Sequence, residues 1–345
     1  MGAPRRHRGF STLGTIDRVV YRNYDEVRRT EPGYASGLDC RDAWVTEVGA
    51  AGQDLGVTDA PASNAGLAVR AFGDGPRVAI ALHGITASAM AWPVVARALP
   101  ADWTVLAPDL RGRGASAGLP GPYGLDRHAN DVCALARVRG GGVVLAGHSM
   151  GAWVALLAAA AHPELFSRLV LIDGGVSAPL PPDADPDAVL RATLGPAIAR
   201  LGRTFATDEE YLDVFRAHPA FTEWNPDIEA YVRYDLAGEP GALRSRVVEA
   251  AVRQDGREIL VRTADFAAAW NALSLPTLLI MAPKGLFGQP PGLLAAEAVA
   301  DARRRRPDIP VETISDANHY SLSLDPRYAA TVARRIADPA SWPTP

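Results

Sequence analysis

The sequence predicts an α/β fold: a mostly parallel sheet with helices on both faces and a helical segment inserted late in the chain. Three observations carry that expectation. Short apolar runs alternate with longer stretches of helical periodicity, the pattern of parallel strands joined by crossover helices. One run leads through Gly147-His148-Ser149-Met150-Gly151 into an Ala/Leu-rich stretch, so a strand turns sharply into a helix with a serine at the tip. From 176 to 271 the rhythm stops and no buried strand is evident.

Composition narrows the class. A chain of 345 residues, 48% hydrophobic and 21% charged, suits one large α/β domain with an insertion. Its net charge of −4 offers nothing to nucleic acid, which is not expected as a partner. Cys40 and Cys133 form no cluster of metal-ligand spacing and no disulfide framework, which fits a reducing compartment. Near the start, Asp17 and Arg18 interrupt the chain before any apolar segment of secretory type, and the longest apolar run, 152–161, is too short to cross a bilayer. No membrane partner is expected, and the expected location is the cytoplasm.

In order, residues 1–42 read as an extension with one short helix near 25–30. The first part of the core is expected over 43–175, with strands at 43–48, Leu67–Phe72, Arg77–Leu82, 104–107, 143–146 and 169–172 and helices at 89–99, Leu125–Val138 and after Ser149. The insertion spans 176–271, with a proline-rich connector and helices near 187–201, 208–217, 226–235 and 242–252. The core resumes over 272–345 with strands at Thr277–Met281 and 311–314 and helices at 292–306 and 326–336.

Chemistry concentrates at strand ends. Ser149 needs a base to become a nucleophile, because a hydroxyl is not ionised near neutral pH. His319 lies in the loop after the last strand, and in a parallel sheet that loop opens on the same edge as Ser149. An oxyanion hole needs two backbone N–H donors. Met150, directly after the serine, supplies one, and Ile85, just past His83-Gly84 at another strand end, supplies the second. His83 and His148 read as structural, Asp109 as a loop or ion-pair residue beside Arg111 and Arg113, and Trp224 as a helix-packing aromatic.

These features together resemble the capped α/β-hydrolases: His83-Gly84, the Asp109–Gly114 loop, the Gly147–Gly151 elbow, the helical insertion and the late histidine, over about residues 65–338. The resemblance implies hydrolytic or acyl-transfer chemistry with the order serine, acid, histidine. The family's acid commonly follows the strand after the cap, but here that loop reads Ala282-Pro283-Lys284-Gly285-Leu286-Phe287-Gly288-Gln289, without a carboxylate. Some members place the acid one strand earlier, where this chain has Asp173; Asp316, Glu297 and Asp235 compete for the role.

The expectation is a serine hydrolase acting on a small ester, lactone or thioester with an apolar portion. It would use Ser149, His319 and Asp173, with Ile85 and Met150 at the oxyanion and neither metal nor organic cofactor. The alternatives are a biosynthetic acyltransferase or cyclase on the same residues, or a ligand-binding member of the fold that turns nothing over.

Overall fold

The computed structural model describes residues 66–181 and 183–345, together with the backbone of the strand at 45–50. The extension expected over 1–42, with the short helix expected near 25–30, and Cys40 lie outside these residues.

The first part runs β1 (Val45–Ala50), β2 (Leu67–Phe72), β3 (Arg77–Leu82), α1 (Pro93–Ala98), β4 (Trp103–Pro108), α2 (Leu125–Val138), β5 (Val143–His148), α3 (Met150–Ala161) and β6 (Phe166–Ile172). Between β6 and the next strand of the sheet lie α4 (Pro186–Leu201), α5 (Asp208–Arg216), α6 (Pro226–Tyr234), the short β7 (Leu236–Ala237) and β8 (Arg244–Ser245), α7 (Glu249–Val261) and α8 (Thr263–Ala272). The chain then continues through β9 (Thr277–Met281), α9 (Ala296–Arg305), β10 (Val311–Thr313), α10 (Ser321–Leu324) and α11 (Pro326–Ala337).

Eight strands form one sheet in the order β1-β2-β4-β3-β5-β6-β9-β10. All neighbours are parallel except β2 and β4. Strand alternation explains why the central strands are apolar without interruption. In β5, Leu145 points into the core layer shared with α2, α3, α8 and α9, while Val144 and Ala146 point into the layer shared with α1 and α11. Every residue of β5 is buried, so a one-residue slip would exchange the two layers.

Helix starts in the second half are written in dipeptides. Asp185-Pro186, Asn225-Pro226 and Asp325-Pro326 each place an N-cap side chain before a proline at N1, where the missing N–H costs nothing. Each cap is made: Asp185 accepts from Asp187 N–H, Asn225 from Ile228 N–H, and Asp325 from Arg327 N–H.

Several expected boundaries move. The helix expected at 89–99 is a 3-10 turn at Ala89–Ala91 followed by α1, because Pro93 starts a helix and cannot donate within one. The stretch 242–252 is not one helix. Leu243 exchanges both main-chain hydrogen bonds with Phe205, Arg244–Ser245 pairs with β7, and α7 begins only at Glu249. Helix α8 was not expected at all, and α9 starts at Ala296 rather than 292. Among the described residues no helix is long and apolar enough to cross a membrane.

Candidate active site

Strands β3, β5, β6, β9 and β10 run in one direction, so the loops leaving their carboxyl ends gather on one edge. Ser149 follows β5 at φ 55°, a left-handed conformation that a serine holds only under constraint. The flanking glycines explain how the turn closes. A Cβ on Gly147 would lie 2.2 Å from the Gly151 carbonyl oxygen, and one on Gly151 would lie 2.4 Å from that of Leu82. The Ser149 N–H donates to the Ile172 carbonyl at 2.9 Å, fixing the turn to the neighbouring strand. Helix α3 starts at Met150, whose N–H has no acceptor within the helix.

Asp173 follows β6 at φ 46° and is fully buried. Its Oδ1 accepts the Ala282 N–H at 3.1 Å, and its Oδ2 accepts the Nδ1–H of His319 at 2.7 Å. Nε2 of His319 is thereby the ring nitrogen left for a second partner. Ser149, His319, Ile85 and Met150 all line one cavity of about 140 Å³. Leu190, Leu194 and Ala197 of α4, Tyr231 of α6 and Ile259 and Leu260 of α7 are among the others that line it, and among the described residues no Asp, Glu, Lys or Arg does.

The other candidate acids point elsewhere. Asp235 accepts from Arg200, Tyr211 and Ser245. Glu297 is exposed in the first turn of α9. Asp316, at φ 63°, offers its carbonyl to Lys284 Nζ at 3.2 Å. Lys284 itself, in the loop where a carboxylate is commonly found, serves through its main chain: its carbonyl accepts the His319 N–H at 3.1 Å.

Two further histidines frame the site. His83 donates from Nδ1 to the Gly84 carbonyl at 2.8 Å and accepts the Leu110 N–H at Nε2, 3.0 Å away. Burial pushes its pKa down to about 3, and the charge of Arg113 adds to that. Protonation would also set a second N–H against that of Leu110. His148 donates from Nε2 to the His319 carbonyl at 2.8 Å, its ring centroid 4.5 Å from that of His319. Burial, then the neighbouring His319 charge, hold its pKa well below the usual histidine value. Asp109 makes no ion pair with Arg111 or Arg113; it accepts from the N–H groups of Ala89 and Ala115 and from the Tyr234 hydroxyl. Burial raises its pKa, with those donors opposing. Trp224 is half-buried against the α1/α11 layer and does not line the cavity. Among the described residues no group of three or more His, Cys, Asp or Glu is placed to hold a metal ion.

The family model for the alpha/beta hydrolase family matches residues 79–334, from the strand before His83 to the helix after His319. This chain belongs to the alpha/beta hydrolase family. A 2-(acetamidomethylene)succinate hydrolase of Mesorhizobium japonicum is 28% identical over 278 residues, 79% of this chain and 91% of the relative. An N-formylmaleamate deformylase of Pseudomonas putida is 30% identical over 256 residues, 72% of this chain and 84% of the relative. The crystal structure of E-2-(acetamidomethylene)succinate hydrolase superposes with a TM-score of 0.63 at 26% identity, covering 78% of this chain and 94% of that one.

Within this α/β-hydrolase site, sequence reasoning missed one constellation. Arg113, fully buried, forms an ion pair with Asp255 of α7 at 2.6 Å, and His128 of α2 joins it at 2.9 Å. Opposed by burial, the charges and hydrogen bonds of His128 and Arg113 bring the Asp255 carboxyl down to about 2. No local pattern links positions 113 and 255, and the carboxylate nearest Arg113 in sequence, Asp109, is taken by the Ala89 and Ala115 N–H groups and the Tyr234 hydroxyl.

Proposed function

We propose that the protein is a serine hydrolase that cleaves an uncharged acyl compound, an ester, lactone or thioester with an apolar acyl part, through an acyl-enzyme. The observation that carries the reading is the 2.7 Å bond from His319 Nδ1 to the buried Asp173, on a ring that shares its cavity with Ser149. Asp173 orients the ring and stabilises the imidazolium; Nε2 of His319 takes the Ser149 proton as Oγ attacks the acyl carbon. The Ile85 and Met150 amides, with the positive end of α3, receive the charge that develops on the carbonyl oxygen. His319 then protonates the leaving group and deprotonates a water that releases the acid. The segment 176–271 acts as a cap whose α4, α6 and α7 side chains select the acyl group.

The relatives' names describe acyl–nitrogen compounds that bear carboxylates, which favours a second reading, hydrolysis of an acyl–nitrogen bond by the same residues. A carboxylate would be costly to bury in a cavity with no cationic side chain among its described lining residues, so an uncharged acyl group is the better fit for either bond. A cavity of about 140 Å³ suits a group near the size of a benzene ring. The test is intact-mass measurement after exposure to a fluorophosphonate, followed by a panel of neutral and carboxylate-bearing esters and amides. One adduct on the wild type and none on Ser149→Ala is expected. An unlabelled, folded wild type would overturn the serine mechanism, and faster turnover of the carboxylate-bearing members would overturn the substrate class.

A further inference from the structure

The loop after β4 carries two buried arginines, and they are used differently. Arg111 pairs with Asp131 of α2 at 2.5 Å and stays within the core. Arg113 reaches across the molecule. Its Nη1 lies 2.6 Å from Asp255 Oδ2 on α7, its Nε donates to the Ile85 carbonyl at 3.0 Å, and its Nη2 lies 3.8 Å from the Met150 sulfur. Asp255 is tied in turn: Oδ1 accepts the Gly124 N–H at 2.8 Å, and Oδ2 accepts from His128 Nε2 at 2.9 Å. One guanidinium, fully buried, therefore touches both residues whose amides are assigned to the oxyanion.

The direction of an amide N–H is set by its own peptide plane and held by the next one. The plane carrying the Ile85 N–H also carries the Gly84 carbonyl, which His83 holds at 2.8 Å. The following plane carries the Ile85 carbonyl, which Arg113 holds. Both planes around Ile85 are pinned, and its side chain meets α7 as well: a Cβ on Gly256 would come within 3.3 Å of Ile85 Cδ1. We infer that Arg113, anchored by Asp255, is a positioning residue that holds the Ile85 amide in register with Met150 and couples that register to α7. Gly256, Ile259 and Leu260 of the same helix line the cavity, so the element that contacts the acyl group also braces the oxyanion donor. Such bracing matters because donors stabilise a transition state only to the extent that they need no reorganisation when charge appears.

The inference rests on Ile85 and Met150 being the oxyanion donors of a serine hydrolase, and the experiment separates the two claims. Phosphonylation of Ser149 by a fluorophosphonate is timed by intact mass, and kcat and KM are measured on p-nitrophenyl butyrate. The proteins are wild type, Arg113→Lys, the double variant Arg113→Met/Asp255→Asn, and Arg111→Lys as a control of matching burial. The double variant removes both charges together and leaves no unpaired buried ion. Phosphonylation and kcat are expected to fall roughly 10- to 100-fold in both Arg113 variants, with KM within about three-fold, since a misaligned donor acts on the transition state. Arg111→Lys is expected to stay within about three-fold in every parameter. A role confined to stability would lower Tm while folded protein kept its kcat. Folded Arg113 variants with wild-type kcat and phosphonylation, or an equal loss in Arg111→Lys, would overturn the inference alone. A wild type that takes no phosphonate overturns the underlying serine reading and the inference with it.

Discussion

The floor and the roof of the cavity are built on opposite principles. On the floor, Ser149, Asp173 and His319 stand at strand ends, two of them at left-handed φ, with the Asp173 carboxylate and the His319 ring each fixed by hydrogen bonds of 2.7–3.1 Å. The roof includes Leu190, Leu194 and Ala197 of α4 and Ile259 and Leu260 of α7, side chains that offer shape and dispersion rather than directional bonds. The difference teaches where each property resides. On the proposed reading, directional bonds at the strand ends define the reaction and apolar side chains on the helices choose among substrates, with α7 joined to the floor through Asp255 and Arg113.

The largest test of this contrast is Ser149→Ala, expected to lower turnover of any accepted ester by at least roughly 10,000-fold while leaving the melting temperature nearly unchanged. Next is Asp173→Asn, expected to lower kcat by about 10,000-fold through loss of the ring's orientation, with Asp316→Asn and Glu297→Gln close to wild type in the same assay. Full activity in Asp173→Asn would move the acid elsewhere and break the picture of the floor. On the roof, Leu194→Ala should shift the kcat/KM ratio between longer and shorter acyl chains by roughly 10- to 100-fold, with kcat on the best substrate changed only a few-fold. A collapse of kcat on every substrate would show that roof and floor are not separable there.

The smallest effect concerns pH and stability. Burial brings His83 to about 3 and holds His148 well below the ordinary histidine value, so the unfolded chain binds protons that the folded one refuses. Stability is therefore full above the unfolded histidine pKa near 6.5 and is lost as pH falls from there toward 3. The slope is about 1.4 kcal/mol per pH unit for each ring, or a few degrees of Tm. Asp255, at about 2, keeps its ion pair until lower pH and gives way only between about 4 and 2. Thermal melts from pH 7 to 4 check this, and a flat Tm across that range would contradict neutral burial of the two histidines.

The same contrast governed what could be read from the sequence. The Gly147–Gly151 turn announces itself because strand, glycines, serine and helix are contiguous, and the position of His319 follows from strand direction alone. Asp173 required a resemblance, since nothing local distinguishes it from a turn residue; its bond to His319 spans two strands of the sheet. The roof was poorly legible. Leu243 is drawn into an extended pairing by Phe205, a partner far away in sequence, so 242–252 carried a helical pattern that tertiary structure overrode. Gly256 weakens the helical signal of α7, yet it is there for packing: a Cβ would lie 2.5 Å from Leu190 Cδ1. Arg113 and Asp255 belong to neither a motif nor a period, and buried ion pairs between distant segments leave no local trace.

Lys284 is the only lysine in the 345 residues. Its carbonyl carries the loop of His319 and its amine reaches the Asp316 carbonyl, at the same strand end. Amine-reactive coupling, apart from the α-amino group, has therefore one side chain to find. A sensor surface or resin charged with such chemistry would hold each copy coupled through a side chain by the same point, giving those copies one orientation. Acylation would remove that amine's charge while leaving in place the main-chain carbonyl that holds His319.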